Sequence, residues 1–181
     1  MDAPLIDLKP IPIPKPSGID GITISKYSKR EELLEIDDYI KDLLSEPYNV
    51  YTYLYFIEDV PDFTFIARDQ AGKMIGCVIS KIERNGSVNN GYIGMVCVSE
   101  EYRGKKIGVA LAIHSINAMI EKKCATVYLE TEVDNVGAQR LYEALGFTKV
   151  ERYPHYYLNG SDAFRMVLQL EGIFFDTPQL E

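Results

Sequence analysis

At 181 residues, with 46% hydrophobic and 25% charged side chains, the chain is long enough to bury one substantial core. Its net charge of −8 excludes a general nucleic-acid surface, which needs a basic patch over phosphates. There is neither an apolar run of transmembrane length nor a basic start followed by an apolar signal segment, so no membrane binding and a cytoplasmic location are expected.

Residues 1–20 hold five prolines without periodicity and read as a flexible arm, residues 21–171 as a single domain, and residues 172–181 as a tail. Ile22–Tyr27 alternates as a first strand. Glu31–Leu44, with Leu33, Leu34, Ile36, Ile40, Leu43 and Leu44, has the spacing of an amphipathic helix. Pro47 suits the first position of a second helix whose apolar side holds Tyr51, Leu54, Tyr55 and Ile57. Strands are expected over Phe63–Ala67, Met74–Ile82 and Tyr92–Val98, with turns at Asp69–Gly72 and Asn85–Gly91. A long, mostly apolar helix over Lys105–Lys123 is followed by a strand, Thr126–Glu132, and a helix, Val136–Leu145, that Gly146 stops. Strands near Lys149–Tyr153 and Phe164–Leu170 complete an α/β domain with a mixed sheet.

The most informative stretch is Tyr92–Val98 running into Tyr102-Arg103-Gly104-Lys105-Lys106-Ile107-Gly108-Val109-Ala110. A strand that ends in a basic, glycine-bearing turn opening a helix makes an anion site, because the first helical N–H groups lack partners inside the helix. Phosphate is the natural guest. The spacing fits neither a Walker loop nor the dinucleotide Gly-x-Gly-x-x-Gly turn. It resembles motif A of the GNAT N-acetyltransferases, which cradles the pyrophosphate of acetyl-CoA. In that pattern Lys106 stands where a small residue is expected; a lysine is tolerated there if its backbone stays helical. Further on, Leu129-Glu130-Thr131-Glu132-Val133-Asp134-Asn135 and Ala138-Gln139-Arg140-Leu141-Tyr142-Glu143-Ala144-Leu145-Gly146-Phe147 match that family's second conserved block.

Four segments narrow the resemblance: Ser45-Glu46-Pro47-Tyr48, Gly91–Met95, Leu129–Val133 and Tyr156-Tyr157-Leu158-Asn159 with Asp162-Ala163-Phe164 after it. They are similar to catalytic subunits of NatC-type N-terminal acetyltransferases, from about Tyr27 to Leu170. The resemblance implies a mostly antiparallel sheet flanked by about four helices, with acetyl-CoA entering between splayed fourth and fifth strands. It implies that the backbone of Met95, Val96, Cys97 and Val98 pairs with the pantetheine arm, while Arg103, Gly104, Lys105, Lys106, Gly108 and Val109 surround the phosphates. It also implies acceptors that keep the initiator Met before Leu, Ile, Phe or Trp, a large auxiliary subunit, a small Sm-like subunit and ribosome association.

Acetyl transfer to an amine needs a base, an acid for the leaving thiolate and no covalent enzyme nucleophile. An α-amine with a pKa of about 8 is an easier target than a lysine near about 10.4. Strand alternation puts Thr126, Tyr128, Glu130 and Glu132 on one face, so Glu130 is the first candidate for base and Glu132 the second. Tyr142 is the candidate acid. Asn135 either bonds the pantetheine arm or caps the helix. Leu44, Pro47, Tyr48, Tyr92, Tyr156 and Tyr157 can build an apolar, hydroxyl-bearing acceptor pocket, with Glu46 orienting the ammonium; for each tyrosine, plain packing remains the alternative.

Cys77, Cys97 and Cys124 lack paired ligand spacing and read as buried reduced thiols, and His114 and His155 share no ligand spacing with a carboxylate or a cysteine, so no metal is expected. His155, beside Tyr156, is a candidate for tuning the acceptor rim. Two other functions stay open: a related acetyltransferase for small amines or lysine side chains, and a non-catalytic acyl-CoA-binding subunit.

Overall fold

The computed structural model describes residues 21–41, 51, 57 and 61–170. Seven strands, β1 (Thr23–Lys26), β2 (Phe65–Arg68), β3 (Met74–Asn85), β4 (Val88–Val98), β5 (Cys124–Glu132), β6 (Thr148–Tyr153) and β7 (Ala163–Gln169), form one sheet in the order β1-β2-β3-β4-β5-β7-β6. Every neighbouring pair is antiparallel except β4 and β5. Helices α1 (Arg30–Lys41), α2 (Ile107–Glu121) and α3 (Val136–Ala144) cover it. Tyr51 and Ile57 are also helical; the rest of the second helix expected after Pro47 lies outside the described residues, as do the N-terminal arm and the tail.

The sheet separates two cores. On one face α2 and α3 pack Ile107, Leu111, Ile116, Met119 and Tyr142 onto Phe65, Ile75, Val78, Ile93, Val127 and Leu129. On the other face α1 and Ile57 pack Leu33, Ile36 and Ile40 onto Ile66, Cys77, Ile79, Met95 and Cys97. Arg68 pins α1 to the sheet edge, with Nη1 and Nη2 each donating to a different Glu35 oxygen at 2.6 Å. All three cysteines are buried and unpaired.

Two features of β4 depart from simple alternation. The β3–β4 hairpin is longer than expected: the strands pair to Asn85↔Val88 around a two-residue turn, Gly86-Ser87, so β4 starts at Val88 and not at Tyr92. Gly86 sits at φ 62°, the sign that tight hairpins need. Higher up, Ile79 pairs with Met95 and Ser80 with Ile93, leaving Gly94 as an extra residue. That bulge reverses which face each later side chain takes. Ile93 therefore packs under α2, while Met95 and Cys97 pack under α1. At Gly91 an added Cβ would stand 2.2 Å from Met119 Sδ, so any larger residue has to displace that side chain.

Candidate active site

Parallel pairing of β4 with β5 ends at Tyr92↔Tyr128, so the upper part of β4 keeps β3 on one side and separates from β5 on the other. Into this opening runs a cleft of about 650 Å³, lined by Val96, Cys97 and Val98 on β4, by Arg103 to Val109 without Lys105, and by Asn135, Gly137, Ala138, Leu141 and Tyr142. Met95 lies outside the lining, its side chain buried in the α1-side core.

The loop at the cleft mouth is a main-chain device. After a short 3₁₀ turn, Glu100–Tyr102, Arg103 is extended, Gly104 takes φ 76° and Lys106 takes φ 64°. Lys106 is thus left-handed where a helical backbone was expected, and it acts as the N-cap of α2. A side chain at such a φ is strained by about 1–2 kcal/mol, so the small residue of the family pattern has a conformational reason. The Lys106 carbonyl takes the first helical bond, from Ala110 N at 3.0 Å, which leaves the N–H groups of Ile107, Gly108 and Val109 without helical acceptors at the mouth. These donors suit a diphosphate.

The basic residues divide their work. Arg103 Nε donates to Val98 O at 3.2 Å and so ties the loop to the end of β4. Lys105 turns away, donating to Glu101 O at 3.1 Å with its ammonium over the Tyr102 ring. Lys106 is exposed, lines the cleft and has no ion pair among the described residues. Gly108 packs under Leu141, whose Cδ1 would meet an added Cβ at 3.2 Å, so glycine here serves close helix packing. The Cys97 thiol is drawn below its ordinary range by the Cys77 thiol beside it and by the Arg103 guanidinium.

Asn135 caps α3, its Oδ1 accepting from Ala138 N at 3.0 Å, and it also lines the cleft. Gln139, buried and not singled out in the sequence, donates Nε2 to the carbonyls of Glu132 and Val133 and locks the β5–α3 turn. At the other end of α3, Gly146 N bonds Glu143 O and Phe147 N bonds Tyr142 O, both at 3.0 Å. This Schellman closure sets Phe147 edge-on to Tyr142, with ring centres 5.4 Å apart. Tyr142 is 6% exposed, and burial pushes its phenol well above its ordinary range, so it stays protonated.

Glu130 is not on the cleft wall; it lies on the α1-side face of β5, on the far side of the opening from Tyr142. Its side chain is 4% exposed, and Oε1 accepts from Arg165 Nε at 2.8 Å, with Arg165 Nη2 2.7 Å from the same oxygen. The Arg165 guanidinium lies 5.0 Å from the ring centres of both Tyr128 and Tyr153. Tyr92 and Tyr128 approach to 4.9 Å, and the Tyr128 hydroxyl donates to Glu83, which Lys81 also pairs. The β6–β7 loop closes this face. Asn159 Nδ2 donates to Glu132 Oε1 at 3.2 Å, and Tyr156 packs against both Tyr153 and Tyr157. His155, at φ 51°, is held by Asp162, which accepts from its backbone N–H at 2.8 Å; that bond and Arg152 depress the Asp162 carboxyl. His114 is elsewhere, its ring tilted against Phe65 at 5.3 Å between centres, where burial lowers its proton affinity. Leu44, Glu46, Pro47 and Tyr48 fall outside the described residues.

Residues 33–147 match the acetyltransferase (GNAT) family model, well over half of the chain. The chain belongs to the GNAT family. Within that family its relatives are N-terminal: it is 43% identical over 148 residues to N-alpha-acetyltransferase 30 of Schizosaccharomyces pombe, covering 81% of this chain and 97% of that one. It is 41% identical over 147 residues to the Arabidopsis thaliana N-alpha-acetyltransferase MAK3, covering 81% and 77%. Among solved structures, a chain of the NatC complex bound to Gag peptide and CoA superimposes with a TM-score of 0.80 at 38% identity, over 83% of this chain and 99% of that one. The chain is accordingly an acetyl-CoA-dependent N-alpha-acetyltransferase. Among the described residues no helix is long and apolar enough to cross a membrane, and no His, Cys, Asp and Glu side chains gather as a metal site.

Proposed function

We infer that this chain, an acetyl-CoA-dependent N-alpha-acetyltransferase, is the catalytic subunit of a NatC-type enzyme and acetylates peptides that begin with Met followed by Leu, Ile, Phe or Trp. The observation that carries the reading is the opening past Tyr92↔Tyr128, with a diphosphate-binding helix start on one side and an aromatic, acidic face on the other. Two substrates can meet there from opposite faces of the sheet. The likeness to a NatC complex that holds both a peptide and CoA supports the same arrangement.

The reaction follows from the two faces. The N–H groups of Ile107, Gly108 and Val109, with Arg103 and Lys106, hold the diphosphate, and the open edge of Val96–Val98 receives the pantetheine arm. The peptide α-amine enters on the Tyr92, Tyr156 and Tyr157 side. Glu130 takes its proton through water, Glu132 and Asn159 orient the chain entering beside it, and the neutral nitrogen attacks the thioester carbon. As the tetrahedral intermediate collapses and the C–S bond breaks, the Tyr142 hydroxyl protonates the leaving thiolate, while the proton still carried by the attacking nitrogen leaves to water, from which the phenolate is reprotonated. Leu44, Glu46, Pro47 and Tyr48 complete the acceptor pocket in this reading.

The chain works as one subunit of a complex, with a large auxiliary subunit, a small Sm-like subunit and the ribosome as its cytoplasmic surroundings. The test is acetyl transfer to matched peptides beginning Met-Leu, Met-Glu, Met-Lys and Ser-Glu, and to spermidine. Selective turnover of Met-Leu is expected; preference for spermidine or for a lysine side chain would replace the acceptor assignment.

A further inference from the structure

We propose that Arg165 is the positioning residue of the acceptor site, holding Glu130 by one oxygen so that the other stays available to take the amine's proton. The proposal rests on Glu130 being the base. Two arginine–carboxylate pairs in this molecule show what is particular about it. Arg68 sends Nη1 and Nη2 to the two separate oxygens of Glu35, a fork that occupies the whole carboxylate and suits a structural clamp. Arg165 donates Nε to Oε1 and keeps Nη2 2.7 Å from that same oxygen, and Glu130 Oε2 has no hydrogen-bond partner among the described residues. A carboxylate fully engaged by a fork makes a poor base. One gripped at a single oxygen keeps its orientation and its charge with a lone pair free.

The grip is built into the sheet. Glu130 and Arg165 are direct register partners on β5 and β7, and the guanidinium lies between the Tyr128 and Tyr153 rings at 5.0 Å from each. Stacking fixes the plane of the guanidinium, and the register fixes its height. The charged and titratable groups around the pair are Glu83 and Lys81 on β3, Tyr92 on β4, Tyr128 and Glu132 on β5, and Tyr153 and Glu151 on β6. Arg165 is the cation that touches Glu130, whose side chain is 4% exposed, so the orientation of that carboxylate depends on it.

The test uses the full chain with its partner subunits, comparing Arg165→Met, Arg165→Lys and Glu130→Gln by kcat and KM, measured separately, for a Met-Leu peptide, with acetyl-CoA affinity measured alongside. For Arg165→Met we expect kcat to fall by about 10- to 100-fold at neutral pH. The loss should fall on kcat, while peptide KM and acetyl-CoA affinity hold. Arg165→Lys, which keeps a cation but loses the planar grip, should recover part of the lost kcat and leave KM in place. A loss carried by KM or by acetyl-CoA affinity in Arg165→Met, or an Arg165→Lys as slow as Arg165→Met, would overturn the proposal. Should Arg165→Met not fold, Arg165→Lys still decides it, since full wild-type kcat in that variant rejects the grip. A fully active Glu130→Gln removes the base itself and so separates failure of the mechanism from failure of Arg165's part in it.

Discussion

The two mouths of the opening between β4 and β5 are made of different material. The mouth proposed for acetyl-CoA is mostly backbone: left-handed turns at Gly104 and Lys106, free N–H groups at the start of α2 and an open strand edge. The mouth proposed for the acceptor is side chain throughout, with Tyr92, Tyr128, Glu130, Arg165, Tyr153 and Tyr156 joined by rings and ion pairs. A backbone site presents the same donors whichever side chain projects from it, which is how Lys106 can stand where the family pattern has a small residue. A side-chain site has no such tolerance. Apart from Tyr142, whose hydroxyl serves the leaving thiolate, chemistry and specificity should therefore break on the acceptor side, and affinity should shift only by degrees on the cofactor side.

Glu130→Gln is the sharpest break, expected to lower kcat by about 10²- to 10⁴-fold with acetyl-CoA binding intact by calorimetry. Tyr142→Phe comes next. It removes one hydroxyl while keeping the contact with Phe147, so single-turnover kinetics should show about 10- to 100-fold slower transfer with little change in melting temperature. Gly91→Ala strikes where the two mouths diverge; the displaced Met119 should lower stability by about 1–3 kcal/mol in denaturant titration, with activity per folded molecule kept. At Lys106 the comparison predicts opposite signs. Lys106→Gly relieves the left-handed strain and should raise stability by about 0.5–1 kcal/mol, yet weaken acetyl-CoA binding modestly at low salt.

The pH profile gives the smallest and most specific effect. Rate should climb as the α-amine loses its proton through about pH 8. Burial raises the Tyr142 phenol, so the acid stays protonated and the rate should not turn down before about pH 10.

The cofactor mouth was the more legible of the two in the sequence, because a strand, a basic glycine turn and a helix start are contiguous and their chemistry is local. Even there the left-handed backbone of Lys106 is not legible, since nothing in its side chain announces a positive φ. The apolar alternation located the strands, but the Gly94 bulge moved Met95 and Cys97 to the opposite face from Ile93 and carried β4 away from β5. On the acceptor side the alternation of β5 correctly grouped Tyr128, Glu130 and Glu132. Arg165 stayed invisible because its meaning lies in the β5–β7 register, a long-range pairing that periodicity does not encode. Asn135, open between cap and ligand in the sequence, is a cap that also borders the cleft.

Selection of a Met-Leu amine at the acceptor mouth, with Glu130 deprotonating it, is tested most directly by kcat/KM for matched Met-Leu and Met-Lys peptides with the chain in its complex, wild type against Glu130→Gln. A strong preference for Met-Leu that collapses in the variant is the predicted result. Equal use of both peptides, or a variant as active as the wild type, would contradict it.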